Sequence, residues 1–190
     1  MTNLRFVITG GPGAGKTTTL NALAEREYIY APDSARAIIR GRLAVGLSPR
    51  PPLEQFGADI LQMDIARYRE TPVADQPVFF DGGIVGALCF LDQLNAIPLG
   101  KAEEYVGAFP YNKVAFLMPP WEEIYCADSE RDQTFSESVQ VYESLREWYA
   151  RWGYETVEAP RTTVDRRVNF ILQTVDNALT RDRLHDHLIS

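Results

Sequence analysis

The chain has few of the residues that build metal centres, disulfide frameworks or membrane spans. Its 190 residues include two cysteines and two histidines. Cys89 and Cys126 lack the spacing of a metal site, and we expect both to be reduced thiols in the core. His185 and His187 lie in a charged C-terminal segment, where solvent exposure is the expected state. No run approaches the ~18 apolar residues of a membrane span, so no membrane partner is expected.

Positive charge is also scarce. The chain has 19 Lys and Arg against 26 Asp and Glu, a net charge of -7. Nucleic-acid-binding proteins usually carry a basic surface, so no nucleic-acid partner is expected. The first predicted strand begins at Leu4, which leaves no room for a signal or transit peptide, and a cytoplasmic location follows as an expectation. With 45% hydrophobic residues, the length suits a single domain, residues 1–190, with one core.

The most informative motif present is residues 10–17, which match the phosphate-loop pattern G-x-x-x-x-G-K-[ST] at every fixed position. A predicted buried strand (residues 4–9) precedes it and a predicted helix (18–24) follows, which disfavours a glycine-rich turn without a ligand. The glycines let successive N–H groups converge on an anion, and the helix N-terminus adds positive potential. Lys16 would reach the outer phosphates, and the Thr17 hydroxyl would bind Mg²⁺. The predicted nucleotide-binding residues are Gly11, Pro12, Gly13, Ala14, Gly15, Lys16, Thr17 and Thr18.

Strand-like and helix-like segments alternate along the whole chain. This alternation predicts a three-layer α/β domain around a mainly parallel sheet of about five strands. In such a fold the functional site lies at the carboxyl ends of the strands. The strands are predicted at residues 4–9, 28–31, 77–81, 113–118 and 154–157.

Acidic residues follow two of these strands. Asp81 ends the third strand and would hold Mg²⁺ through water opposite Thr17, although it would also suit the start of the Gly82–Gly83 turn. Asp33 follows the second strand. It suits the N-cap of the next helix and also a general base that accepts the proton of a substrate hydroxyl, and the two roles are compatible.

Three arginines are candidates for binding negative charge. Arg36 and Arg40 lie one turn apart on a predicted helix and would hold an anionic group of the second substrate, the alternative being a solvated helix face. Arg131 lies in a polar segment before the capping box formed by Thr134 and Glu137. A closing lid would bring Arg131 onto the transferred phosphoryl group.

These motifs together resemble a family of small P-loop kinase-like ATPases with AAA-type ATP-binding domains, similar to nicotinamide riboside kinase-type domains. The resemblance implies the P-loop NTPase fold of nucleoside and nucleotide kinases, with ATP and Mg²⁺ as ligands. Two positions depart from the family pattern: Asp33 stands where Glu is usual, and Gly82 where Arg is usual. The resemblance runs from about residue 4 to residue 172 and is carried by residues 6–18, 33–36, 80–83, 119–125, 128–131, 145–149 and 153–155.

Two functions fit these observations. The first is Mg-ATP-dependent phosphoryl transfer to a small molecule, with Lys16, Asp33, Asp81 and Arg131 as catalytic residues. Asp81 has no Glu beside it, whereas hydrolysis-driven motors commonly place a water-activating acid at the next position. The alternative is a nucleotide-binding regulatory ATPase or GTPase without an acceptor, which the missing arginine at position 82 favours. Residues 112–115 lack the Asp of the guanine-reading N-K-x-D motif.

Overall fold

The computed structural model describes residues 3–72, 75–125 and 133–189. Five parallel strands form one sheet in the order β2-β3-β1-β4-β5. The sequence-predicted α/β fold with a parallel five-stranded sheet is therefore confirmed. The strands are β1 (Arg5–Gly10), β2 (Tyr30–Ala31), β3 (Val78–Asp81), β4 (Val114–Met118) and β5 (Glu155–Glu158).

Helices cover both faces of this sheet. They are α1 (Lys16–Ala24), α2 (Ser34–Ala44), α3 (Leu53–Glu70), α4 (Gly83–Gln93), α5 (Leu99–Ala108), α6 (Phe135–Arg151) and α7 (Val164–Ile189), with a short 3-10 helix at Glu122–Ile124. Apolar residues of α1 and α7 pack on one face, and those of α3, α4 and α6 on the other. Within the described residues, no helix is both long enough and apolar enough to cross a bilayer.

The central strand, β1, is apolar on both sides because helices cover both faces of the sheet. Phe6 and Ile8 of β1 face the helix layer of α1 and α7, whereas Val7 faces the opposite layer. All three side chains are fully buried. Parallel sheets covered on both faces require such continuous apolar runs. Because β1 pairs with both β3 and β4, the segment that follows β1 begins in the middle of the sheet.

Most helix boundaries agree with the sequence patterns. Phe56, Ile60, Met63 and Arg67 recur along one helix face, which predicts a helix over residues 53–70, and this helix is α3. The predicted capping box is confirmed: Thr134 Oγ1 accepts from the Glu137 N–H at 3.2 Å, and Glu137 Oε2 accepts from the Thr134 N–H at 2.6 Å. Strand β2 is shorter than predicted. Helix α5 was not predicted from the sequence, and Ala102 is the one buried residue among its ten.

A buried polar chain attaches α2 to α3. Ser34 Oγ donates to Asp64 Oδ1 at 2.5 Å, and Arg67 donates to Ser34 Oγ at 2.9 Å. Arg67 also donates to the carbonyl oxygen of Pro32. Burial raises the pKa of Asp64 to about 7, although the Ser34 hydrogen bond acts in the opposite direction. The α2–α3 connection therefore contains a carboxyl group that titrates near neutral pH.

Asp64 should make the stability of the protein fall as the pH rises. The unfolded chain releases this proton near the ordinary pKa of Asp, whereas the folded chain keeps it up to a pKa of about 7. The free energy of unfolding should therefore decrease between about pH 4 and pH 7, and Asp64→Asn should remove about 2 kcal/mol of this loss between pH 5 and pH 7. Urea unfolding at the two pH values measures the difference.

Asp59→Asn is the matched control, because Asp59 lies on the same helix near the surface and accepts from Gln55. This variant should keep the wild-type pH dependence. If the free-energy difference between wild type and Asp64→Asn were the same at pH 5 and pH 7, Asp64 would not hold its proton in the folded state.

Candidate active site

The phosphate loop begins where β1 ends, at the centre of the carboxyl edge of the sheet. Gly13 has a φ of 78°, and a Cβ atom there would lie 2.4 Å from the Tyr125 ring. This left-handed conformation and the lack of space both require glycine. The far side of the loop is held by α6, because Ser138 Oγ donates to the Pro12 carbonyl oxygen at 2.6 Å. The loop is therefore shaped by its own glycines and by two later segments of the chain.

Lys16 is the first residue of α1, and its ammonium group lies over the loop. Nζ donates to the carbonyl oxygens of Gly10 at 2.8 Å and of Gly11 at 2.9 Å. Gly15 is the N-cap of α1 and supplies no side-chain hydrogen bond to the helix. The first N–H groups of a helix lack intrahelical partners and attract anions. Loop, helix terminus and ammonium group thus direct positive potential to one place.

A cavity of about 280 Å³ opens beside this loop. The structure brings eight of the predicted site residues together in its wall: Pro12, Gly13, Ala14, Gly15, Lys16, Thr17, Asp33 and Arg36. Predicted residues Gly11, Thr18, Arg40 and Asp81 do not contribute to the wall. The remaining lining comes from the rest of the loop and from Ala35, Ile39, Arg50, Phe56, Gly86, Cys89, Phe90, Gln93, Gln133, Val141 and Leu145.

Asp33 caps the helix that carries Arg36. Asp33 Oδ1 accepts from the Arg36 N–H at 3.2 Å, and the predicted N-cap role is confirmed. The other carboxylate oxygen lies 3.8 Å from Arg36 Nε. The acid and the guanidinium group therefore enter the cavity as an ion pair, which makes this part of the wall polar.

Asp81 lies at the end of β3, the strand that pairs with β1. Its side chain is 7% exposed. Burial raises the pKa of Asp81 to about 7, with Lys16 lowering it and Asp33 raising it. Asp81 is thus a buried carboxyl group in the electrostatic field of the cavity residues.

The two predicted substrate-binding arginines lie in different environments. Arg36 lines the cavity, whereas Arg40, one turn later on α2, is exposed. Arg50, from the segment between α2 and α3, reaches the cavity instead. Its guanidinium carbon lies 6.0 Å from the centre of the Phe56 ring. A helix-face pattern cannot show where a cavity ends, so the sequence did not separate Arg36 from Arg40.

Some sequence predictions fall outside the part of the chain that the structure describes. Arg131, the predicted lid arginine, lies there, and so does Cys126. Cys89 is a free, buried thiol, as predicted, and burial raises its pKa to about 12.

Arg167 lies against the end of the phosphate loop, where a Cβ atom at Gly15 would lie 2.7 Å from its Nη1, and it was missed by sequence reasoning. Its guanidinium group donates to Thr19 Oγ1 at 3.4 Å and to the Pro160 carbonyl oxygen at 3.2 Å. It also lies 5.2 Å from the centre of the Trp121 ring. Burial lowers the pKa of Arg167. No sequence signal marks this residue, because an arginine in an amphipathic helix usually faces solvent.

Gly82, where the resembling family usually has arginine, adopts a φ of 77°. A larger side chain is disfavoured in this left-handed conformation. Its carbonyl oxygen accepts from the buried Tyr149 hydroxyl at 2.9 Å, and its N–H donates to the Ile8 carbonyl oxygen at 2.9 Å. The turn after Asp81 is therefore held by hydrogen bonds to the Gly82 backbone. The glycine that departs from the family pattern suits the left-handed conformation of this turn.

Several solved structures share this architecture. The NadR protein in complex with NR is 16% identical with a TM-score of 0.65, the match covering 93% of this chain and 50% of that chain. Thymidylate kinase from Candida albicans is 12% identical with a TM-score of 0.61, covering 93% and 92%. Deoxyadenosine kinase from M. mycoides with bound dATP is 12% identical with a TM-score of 0.56, covering 91% and 99%. At these identities the likeness establishes a shared fold.

A family described as AAA domain has a sequence model that matches residues 5–167. The match begins at β1 and ends within α7, so it includes the phosphate loop, every strand of the sheet and the cavity. Because it spans most of the chain, the protein belongs to this AAA domain family of P-loop proteins.

Proposed function

We propose that the protein is an Mg-ATP-dependent phosphotransferase whose acceptor is a small molecule such as a nucleoside, a nucleotide or a related metabolite. The observation that carries this proposal is the lining of the cavity. One part of the wall is the phosphate loop with Lys16 and Thr17, and much of the rest comes from α2, α3, α4 and α6. A nucleotide switch needs space only for its nucleotide and water, whereas a transferase needs a second, enclosed space for the acceptor.

The part of the cavity wall outside the phosphate loop has the composition of a small-molecule site. Most of this part is apolar, with a few polar groups of Asp33, Arg36, Arg50, Gln93 and Gln133 among the hydrophobic side chains. Such a mixture is typical of pockets that bury most of a ligand and orient it through a few polar contacts. The two arginines would suit an anionic group on the acceptor. The larger apolar side chains are Ile39, Phe56, Phe90, Val141 and Leu145.

The charged residues then take the following roles. Asp33 accepts the proton of the attacking acceptor hydroxyl, because its carboxylate lines the same cavity as the loop. Lys16 stabilises the negative charge on the transferred phosphoryl group. Arg131 is proposed to add positive charge from the segment before α6. Positioning and electrostatic stabilisation supply most of the rate enhancement in phosphoryl transfer.

Thr17 and Asp81 fit the requirements of Mg²⁺. Hydroxyl and carboxylate oxygens are the donors that this ion prefers, and it usually keeps several waters and phosphate oxygens as further ligands. Because burial raises the pKa of Asp81 to about 7, a neighbouring cation would favour its ionised form. Asp81 would hold the ion through water, and Thr17 directly. The bound ion would neutralise charge on the phosphates.

The proposal predicts turnover that depends on an acceptor. We expect the protein to release ADP from Mg-ATP only when a suitable member of a panel of nucleosides, nucleotides, sugars and antibiotics is added. ADP is measured by a coupled assay, with GTP tested in parallel. Slow hydrolysis that no acceptor accelerates would instead support the regulatory ATPase or GTPase alternative.

Lys16→Ala should weaken ATP binding by about 100-fold, because a charge-assisted contact to the phosphates is lost. Isothermal titration calorimetry measures the affinity. Lys101→Ala is the matched control, since Lys101 is exposed and pairs with Glu104. This variant should bind ATP with the wild-type affinity. Equal ATP affinities of Lys16→Ala and wild type would show that the Lys16 ammonium group does not bind the phosphates.

Asp33→Asn should leave ATP affinity unchanged and lower acceptor-dependent transfer by about 100- to 10,000-fold, the usual contribution of a general base. Asn is also a good N-cap, so helix α2 should remain intact. Calorimetry and the ADP assay together separate binding from chemistry. Asp59→Asn serves as the control. Unchanged transfer in Asp33→Asn would exclude Asp33 as the base.

A further inference from the structure

Asp33 lies between two residues that are held by the same arginine. Arg67 of α3 donates to the Pro32 carbonyl oxygen and to Ser34 Oγ at 2.9 Å. Pro32 has a restricted φ because of its ring. The backbone is therefore fixed on both sides of Asp33, and the group that fixes it comes from another helix.

The Ser34 hydroxyl connects Arg67 to the buried carboxyl group of Asp64. Its proton is donated to Asp64 Oδ1 at 2.5 Å, while its oxygen accepts from Arg67. A hydroxyl has one proton, so the direction of the chain from Arg67 through Ser34 to Asp64 is determined. Ser34 is 2% exposed and Asp64 is 6% exposed. Arg67 and Asp64 lie one turn apart on α3, so one helix face holds both ends of the chain.

The contacts that Asp33 makes itself cannot fix its place in the cavity. Its carboxylate accepts from the Arg36 N–H and lies beside Arg36 Nε, and Arg36 belongs to the helix that Asp33 caps. These contacts orient the carboxylate relative to α2 alone. Its position relative to the cavity depends on how the start of α2 is attached to α3, and the chain of Arg67, Ser34 and Asp64 makes that attachment.

We propose that Arg67, Ser34 and Asp64 form a positioning chain that holds the Asp33 carboxylate toward the acceptor space. None of the three lines the cavity, so they act through Asp33 and not on a substrate. The proposal rests on the proposed role of Asp33 as general base. Small displacements of a catalytic group are costly, since an error of about 1 Å can lower a rate by about 100-fold.

Two variants each remove one member of the positioning chain. Ser34→Ala removes the central hydroxyl, and Arg67→Gln removes the guanidinium group. Ser34→Thr retains a hydroxyl and serves as the rescue variant. Arg69→Gln is the matched control, because Arg69 is an exposed arginine of α3 that lies against the Phe109 ring. All measurements are made well below the melting temperature of each variant.

The first readout does not depend on catalysis. The Arg36 N–H lies in the first turn of α2, where amides lack intrahelical partners, and it donates to Asp33. Its hydrogen exchange, followed by NMR, therefore reports whether the first turn of α2 and its Asp33 cap stay formed when the attachment to α3 is removed. We expect about tenfold faster exchange in Ser34→Ala and Arg67→Gln, because the start of α2 frays once it is no longer attached and the cap bond then opens more often. Ser34→Thr and Arg69→Gln should keep the wild-type rate.

The second readout is acceptor-dependent transfer. We expect kcat to fall by about 10- to 100-fold in Ser34→Ala and Arg67→Gln, with KM for ATP unchanged. A purely structural role would lower the melting temperature without this split between kcat and KM. Ser34→Thr should recover the wild-type kcat.

The outcomes separate this proposal from the proposed function. Unchanged exchange of the Arg36 amide in both chain-breaking variants, or faster exchange with unchanged kcat, would overturn the positioning chain. If no acceptor supports turnover in the wild type, the phosphotransferase proposal fails. Faster hydrogen exchange of the Arg36 amide in the variants would then still support the conclusion that the positioning chain holds Asp33 at the start of α2.

Discussion

The pairing of β1 with β3 and β4 is the interaction on which the site depends. Ile8 is paired with Asp81, and Gly10 with Met118. Because parallel strands end at the same edge, this register sets the buried carboxyl group of Asp81 beside the start of the phosphate loop. The later elements add to this arrangement: α6 holds the Pro12 carbonyl oxygen through Ser138, and α2 brings Asp33 into the cavity.

The site combines buried acids with cations that compensate them. Asp81 is influenced by Lys16, Arg36 and Arg67 in the direction that lowers its pKa, against the larger opposing effect of burial. Asp64 experiences the same opposition between burial and Arg67. Burying a carboxylate is costly unless it is paired or hydrogen-bonded. Arg67 therefore lowers the pKa of both Asp64 and Asp81, and it also attaches α2 to α3. The same side chain thus affects the electrostatics of the site and the packing of its helices.

Sequence patterns were accurate where a local rule decides the structure. The phosphate loop, the Asp33 N-cap and the capping box at Thr134 each depend on residues within a few positions of one another. Helix α3 was also predicted correctly, because its apolar residues recur along one face. Helix α5 was missed: it is short, and Ala102 is its single buried residue, so only tertiary packing shows which of its residues contact the core.

By itself, the sequence determined the alternation of strands and helices, the phosphate loop and the acids at the carboxyl ends of the second and third strands. Tertiary structure alone decided that Arg36 and Arg50 reach the cavity while Arg40 does not, and that Arg167 lies buried against the loop. It also decided that Asp64 and Arg67 meet Ser34. These contacts join residues about 30 positions apart, and on an isolated α3 the same side chains are ordinary polar residues. Only the packing of α2 against α3 joins them by buried hydrogen bonds.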